Sequence, residues 1–288
     1  MDTCYSYDDL LQDLDTFPSV CSVGRSVFGR KLWAIRIGYG APAVLIHAAI
    51  HAREHITAPL VVAMARAYLS AYCPPLPAVD FVPMVNPDGV ELCQKGVTSV
   101  PFTARSRLLA INNDKDFALW KANGAGVDLN VNFPADWGQG EQNVKTPSPA
   151  NYIGPSPACA PEVQALMRLT KRWRYDFTLS YHCKGEVIYY GFGQLRRNHS
   201  RAAAYRLGCL LGYTPTPSTS STGGYKDWYA LRYPQGTALT VEVGQDDYPH
   251  PFPYAELPNL IDRHRSVALF AARYVWKQRC NSSLCDKP

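Results

Sequence analysis

"AVLIHAAI" at residues 43–50, "HARE" at 51–54 and "ITAPLVVAMARAYLSAY" at 56–72 are three consecutive pieces that set the reading of the fold. The first is a short apolar run of strand length, and the third is long enough for a buried helix. Only a short polar turn separates them. The alternation continues in both directions. "KLWAIRIG" (31–38) predicts a preceding strand across the turn "YGAP". "AVDFVPMVNP" (78–87) predicts a following one, closed by the turn signal Asn86-Pro87-Asp88-Gly89. "PEVQALMRLTKRW" (161–173) predicts a helix, with proline in its first turn and basic residues toward its end. "FTLSYH" (177–182), "EVIYYGF" (186–192) and "ALTVEVG" (238–244) read as strands. A helix is expected at about 199–212, a Ser/Thr/Pro/Gly-rich loop at 213–224, and one long final helix at 257–278. Strands apolar on both faces, alternating with helices, predict an α/β fold. The expectation is a single α/β/α domain over residues 1–288, with a mixed, mostly parallel central sheet.

The composition narrows the function classes. Hydrophobic residues make up 47% and charged residues 18%, far from a disordered chain. Net charge is +5, yet no Lys/Arg cluster or basic-aromatic alternation points to nucleic acid. No run of about 18 apolar residues predicts a membrane span. The N-terminus "MDTCYSYDDLLQDLDTF" lacks the basic start and apolar run of a signal peptide. Nine cysteines with no C-x-x-C pair read as reduced thiols, with a Cys280–Cys285 pair left open. The expected compartment is therefore the cytoplasm.

In open α/β sheets, ligands bind at the carboxyl ends of strands. Short polar stretches there deserve the closest reading. His51 and Glu54 follow the strand at 43–50, His182 closes the strand at 177–182, and Glu242 lies near the end of 238–244. A catalytic zinc takes three protein ligands and keeps a fourth position for water. The H-E-x-x-H motif is absent, because Ala52 follows His51. Taken one at a time, these residues have plainer readings. His182 is equally a core histidine, His51 and Glu54 a polar turn, and Glu242 half of a structural ion pair.

Six motifs in order carry a resemblance: H-A-R-E at 51–54, N-P-D-G at 86–89, G-V-D-L-N-x-N-F at 126–133, S-Y-H at 180–182, G-G-x-x-D-W at 223–228 and T-V-E-V at 240–243. The pattern resembles the zinc carboxypeptidase family over nearly the whole chain. The resemblance implies one Zn²⁺ held by His51, Glu54 and His182. It implies Glu242 as general base, taking a proton from the attacking water and delivering it to the leaving amine. Arg53 matches a substrate-contacting arginine. Lys121, after Trp120, takes the place of an arginine that polarises the scissile carbonyl. A structural ion pair for Arg53 and a solvated surface position for Lys121 remain open.

The departures from the family pattern carry the substrate argument. The family reads G-V-D-x-N-R-N, whose Asn-Arg pair holds a peptide's terminal carboxylate. Here Asn130 is retained but Val131 replaces the arginine, and valine makes no charge-assisted contact. "PSTSST" stands where a mobile tyrosine is usual, and Tyr225 is a candidate substitute for substrate contact. Lys226 falls at the base of the pocket for the residue after the scissile bond, and a lysine there favours a carboxylate. An exposed lysine at a helix start is its alternative. "GVDLNVNFPADWG", "NYIGPSPACAPE", "LSYHCKGEVIYYGF" and "GGYKDW" together are most similar to the bacterial γ-D-glutamyl-diaminopimelate peptidase branch. The implied substrate is a muropeptide stem, met inside the cell. The alternatives are a metallocarboxypeptidase for acidic or unusual C-terminal residues and a non-catalytic muropeptide-binding protein.

Overall fold

A computed structural model describes residues 4–193, 200–218 and 222–285, with side chains described to residue 281. The strands are β1 (Val20–Arg25), β2 (Lys31–Ile37), β3 (Pro42–His47), β4 (Ala78–Val82), β5 (Phe177–Cys183), β6 (Val187–Tyr190), β7 (Thr214–Pro217) and β8 (Thr237–Val243). The helices are α1 (Tyr7–Leu14), α2 (Thr57–Ala71), α3 (Pro87–Lys95), α4 (Phe102–Asn112), α5 (Pro161–Trp173), α6 (Ser200–Leu211), α7 (Tyr225–Arg232), α8 (Leu257–His264) and α9 (Val267–Cys285). One eight-stranded sheet runs in the order β1-β2-β4-β3-β5-β8-β6-β7. Four neighbouring pairs, β3–β4, β3–β5, β5–β8 and β6–β7, are parallel. The pairs β1–β2, β2–β4 and β6–β8 are antiparallel. The sheet is thus mixed and mostly parallel, as expected.

Helices cover both faces, and strand alternation sorts the side chains between them. Val44 and Ile46 of β3 join a core with residues of α2, α6 and α9, whereas Leu45 joins a second core with α5 and α7. Each such side chain, once buried, contributes roughly 1.5–3 kcal/mol. On β5 the apolar Phe177, Leu179, Tyr181 and Cys183 face the first core. The intervening Thr178, Ser180 and His182 therefore point to the α5/α7 side. On β8, Leu239, Val241 and Val243 do the same, leaving Thr240 and Glu242 opposite.

Several elements differ from the expectation. Asn86-Pro87-Asp88-Gly89 does not make a free turn. Asn86 caps α3 by accepting from Gly89 N, and Pro87 occupies the first turn. β7 lies inside the stretch expected to be loop. Its sequence, Thr-Pro-Thr-Pro, is tolerated because β7 is an edge strand, where a missing N–H leaves no ladder bond unmade. The final helix is two helices, α8 and α9, separated at Arg265–Ser266. Cys21, Cys73, Cys93, Cys159, Cys183 and Cys209 are free thiols. The Cys280–Cys285 pairing involves a side chain outside the described residues. Among the described residues, no helix is long and apolar enough to cross a membrane.

Candidate active site

Three adjacent parallel strands, β3, β5 and β8, end at the same edge of the sheet. His182 on β5 stands in register with Glu242 on β8, so the two share a face as direct neighbours. His51 and Glu54 arrive from the loop after β3. Within that loop Ala49 takes a left-handed backbone (φ 47°), a conformation non-glycine residues rarely adopt. The surrounding bonds hold it there. Ala49 N donates to Thr57 Oγ1 at 3.0 Å, and Asn86 N donates to Ala49 O at 3.0 Å. The Asn86 amide also donates to Ile50 O and Ala122 O, at 3.2 and 3.0 Å. Ala52 N donates to Lys121 O at 3.1 Å. The ligand loop and the Lys121 segment are thereby stitched into one unit.

His51, Glu54 and His182 offer one ligand atom each, all within 4.8 Å of one another, and all three residues are buried. His51 Nδ1 lies 2.8 Å from Glu54 Oε1. His182 Nδ1 lies 3.0 Å from Glu54 Oε2 and 3.1 Å from His51 Nδ1. Two imidazole nitrogens converging on one carboxylate suit a tetrahedral zinc, whose bonds of ~2.0–2.1 Å set its nitrogens slightly over 3 Å apart. Burial pushes the Glu54 carboxyl up, but His51 and His182 outweigh it and hold the group well below the usual range. A charged carboxylate beside two imidazoles is a donor set that fits the metal.

Burial is also the main influence on Glu242, and here it prevails, lifting the carboxyl to about 7. Asp128 does the reverse. Lys121 and His51 overcome its burial and hold it far below the ordinary carboxylate range. Its Oδ2 is 2.8 Å from Lys121 Nζ, and its Oδ1 is 3.3 Å from His51 Nε2. One carboxylate therefore lies between an imidazole of the candidate metal cluster and a nearby ammonium. The motif at 126–133 contains Asp128, and its resemblance implies no role for it. The signal was there, as an acid between Val127 and Leu129 in a buried stretch.

A cleft of about 590 Å³ opens beside these residues, lined by His51, Lys121, Asn130, Tyr189, Lys226 and Glu242 among others. Val131 lines it as well, where the family arginine is absent. Asn151, another lining residue, has a left-handed backbone (φ 63°) and places its Oδ1 3.4 Å from Lys121 Nζ. Asn151 and Tyr189 fall within quoted stretches of the sequence, but a residue in such a string carries no sign that it faces a cleft.

Lys226 is buried rather than exposed. Its Nζ donates to Gly191 O at 2.7 Å and pairs with Asp227. Asn130 Oδ1 accepts from Tyr225 N at 3.2 Å, which joins the G-V-D-L-N stretch to the start of α7. Gly223 makes that junction possible. Its φ is 74°, and an added Cβ would sit 2.6 Å from Val131 O. Tyr225 corrects an expectation. Its side chain is fully buried against His47, at a ring-centroid distance of 4.5 Å, and its hydroxyl meets Thr170 Oγ1 at 2.9 Å. It packs beneath the site and does not reach substrate, because α7 begins there and turns this position inward. Arg53 is not among the residues lining the cleft. Part of the "PSTSST" stretch, residues 219–221, lies outside the described residues.

His47 and His55, the other histidines of the loop region, are engaged elsewhere. His47 Nε2 is 2.8 Å from Ser180 Oγ, and His55 Nδ1 is 3.0 Å from the Tyr254 hydroxyl.

Comparison with known proteins agrees with this geometry. The γ-D-glutamyl-L-diamino acid endopeptidase 1 of Lysinibacillus sphaericus is 33% identical over 268 residues, covering 86% of this chain and 67% of that protein. Bovine thrombin-activatable fibrinolysis inhibitor, solved in complex with tick carboxypeptidase inhibitor, has a TM-score of 0.74 at 17% identity, covering 96% and 99% of the two chains. The murein-tripeptide amidase of Escherichia coli O157 has a TM-score of 0.52 at 22% identity, covering 87% and 95%. The zinc carboxypeptidase pattern matches residues 5–261. With the His-Glu-His cluster at the strand ends and a pattern match across most of its length, the chain belongs to the zinc carboxypeptidase family and is a metallopeptidase.

Proposed function

We propose that the protein hydrolyses the γ-D-glutamyl-diaminopimelate bond of peptidoglycan stem peptides. The observation that carries the reading is the pairing of Lys226 inside the cleft with Val131 in place of an arginine. An ammonium has three N–H donors. Gly191 O and Asp227 engage two of those on Lys226, leaving one for a substrate group. Diaminopimelate presents an extra carboxylate on its side chain, which suits that donor. The 33% identical Lysinibacillus relative, named for γ-D-glutamyl-L-diamino acid substrates, supports the same choice.

When bound by His51, Glu54 and His182, zinc supplies Lewis acidity toward water and the scissile carbonyl. The chain's own residues do the rest. Glu242, poised near neutrality, accepts the proton of the attacking water and returns it to the leaving amine. Lys121, held by Asp128, faces the developing oxyanion with a positive charge. Asn130 and Lys226 hold the leaving residue in the cleft. A second reading, a carboxypeptidase for acidic C-terminal residues, draws on the retained Asn130 at the cleft wall.

The test compares turnover of an N-acyl-γ-D-glutamyl-diaminopimelate with an N-blocked α-linked dipeptide ending in an acidic residue. Digestion of defined tripeptide and tetrapeptide stems, followed by mass spectrometry, locates the bond cut. Faster cleavage of the γ-linked substrate is expected. Preference for the α-linked dipeptide transfers the argument to the second reading.

A further inference from the structure

Asn151 lines the cleft beside Lys121 with a left-handed backbone (φ 63°). Glycine adopts that conformation most cheaply, and asparagine is among the few other residues that visit it. Both backbone groups of Asn151 are fixed. Its N–H donates to Asp128 Oδ2 at 3.1 Å, and its carbonyl accepts from Val144 N at 2.9 Å. Two residues earlier, Pro149 O accepts from Lys121 N and Ala122 N, at 3.0 and 2.9 Å. One residue later, Tyr152 O accepts from Asp128 N at 2.9 Å. The segment 149–152 is thus bound to the backbones of Lys121 and Asp128 at once, and the Asn151 side chain has a fixed origin between them.

From that origin Oδ1 accepts from Lys121 Nζ at 3.4 Å. A lysine only donates, so the carbonyl end of the amide is the end that faces it. The ammonium has a second partner in Asp128 Oδ2, at 2.8 Å. The two partners differ in place and in charge. Asp128 is fully buried and does not line the cleft, whereas Asn151 does. Asp128 alone anchors the ammonium at one distance, and a four-carbon stem leaves it free to swing about that contact. A second oxygen, on the cleft wall, removes that freedom. It adds no net charge, so the positive field of the ammonium toward the cleft is preserved. Of the three N–H donors, Asp128 and Asn151 take two, and the third is left for the cleft.

We propose that Asn151 is a positioning residue: its side-chain oxygen aims the Lys121 ammonium at the carbonyl oxygen of the scissile bond. A donor fixed in advance needs no reorganisation as charge develops on that oxygen. A lysine lacks the rigid fork of a guanidinium and depends on its neighbours for that fixity. This assignment rests on the role given to Lys121 in the proposed reaction, and it extends that role to a residue acting through Lys121.

Asn151→Gly removes the side chain and keeps the backbone conformation. The assay uses the zinc-loaded protein and whichever of the γ-linked and α-linked substrates it turns over. The variant should lower kcat about 3–10-fold and leave KM nearly unchanged. Asn151→Ser, too short to reach the ammonium, should do the same. Lys121→Ala should lower kcat by about 10²–10³. In a Lys121→Ala background, Asn151→Gly should lower kcat no further, because the contact it removes is already gone. A general loosening of the loop lowers kcat by the same factor in both backgrounds, and that result overturns the proposal, as does full activity in Asn151→Gly. Full activity in Lys121→Ala instead overturns the parent role of Lys121, and the proposal with it. Acetic anhydride labelling of the same proteins, read by mass spectrometry against the exposed Lys115, tests the contact without turnover. Acetylation of Lys121 should be faster in Asn151→Gly, and equal rates overturn the proposal whatever the substrate proves to be.

Discussion

At the scale of single residues, Glu242 and Tyr225 are turned in opposite senses by the elements that carry them, one toward the cleft and one into the core. Glu242 stands on a strand whose other face packs Leu239, Val241 and Val243 into the core, and it is half-buried beside the ligand cluster. Its carboxyl, lifted to about 7, is divided between acid and base at neutral pH, the condition under which one group both takes and returns a proton. In the proposed reaction, Glu242→Gln keeps the shape and loses the base. The expected outcome is a kcat lower by about 10²–10⁴. Zinc content, measured by atomic absorption, should be unchanged. Full activity in this variant would remove Glu242 from the mechanism. Tyr225 sits only one residue from Lys226, yet the helix start at Gly224 sends it into the core and leaves Lys226 at the cleft. Adjacent positions on a helix point about 100° apart, and a motif match alone does not say which of them faces substrate.

At the scale of elements, α5 and the turn between β1 and β2 share a buried carboxylate. Glu162, in the first turn of α5, accepts from Val27 N and from the Asn123 amide, each at 3.1 Å. Burial raises its carboxyl from 4.5 to about 7, and these hydrogen bonds only partly oppose it. The folded state therefore binds this proton more tightly than the unfolded chain does. The resulting stability is fully present below about pH 4.5 and is lost as pH rises through 7. The change amounts to roughly 3 kcal/mol. Glu242 is lifted to about 7 as well, and burial lowers His47, His55 and His264, which act in the opposite direction, so the Glu162 share is read as a difference between two proteins. In urea unfolding of the metal-free forms between pH 5 and 8, Glu162→Gln should lack that share, its stability falling less, or rising more, than that of the unmodified protein as pH increases. It also loses one hydrogen bond, because both neighbours are donors, and this cost does not vary with pH. An identical pH dependence in the variant would assign the effect to another group.

At the scale of the whole molecule, the candidate metal ligands join parts of the chain that are distant in sequence. His182 and Glu54 are 128 positions apart, and their side chains meet at 3.0 Å. Zinc that binds only the folded form stabilises it by mass action, by about 2.7 kcal/mol at a free concentration 100 times Kd. For a chain of 288 residues, that corresponds to a Tm shift of about 4–5 °C. Scanning calorimetry with and without a chelator should show this difference. His182→Ala, lacking a ligand, should show little of it. A Tm indifferent to chelation in the unmodified protein would mean that these three residues do not hold the ion in the folded state.

The sequence by itself determined six of the eight strands and the family, and it pointed to the three candidate metal ligands. Strand and helix periods are local properties. The polar alternation in "FTLSYHC" and "TALTVEV" already places His182 and Glu242 on matching faces once the two strands lie in register. H-x-x-E and the five accompanying motifs are likewise local strings. The tertiary structure alone decided what depends on contacts between distant segments. Asp128 becomes a bridge only when the turn at 128–131 meets both His51 and Lys121. Asn86 proves to be a helix cap that also ties the ligand loop to Ala122. Lys226 is a buried cleft residue because Gly191 and Asp227 supply its partners. None of these pairings leaves a periodic trace, since each is set by packing across the sheet ends and not by the order of residues along the chain.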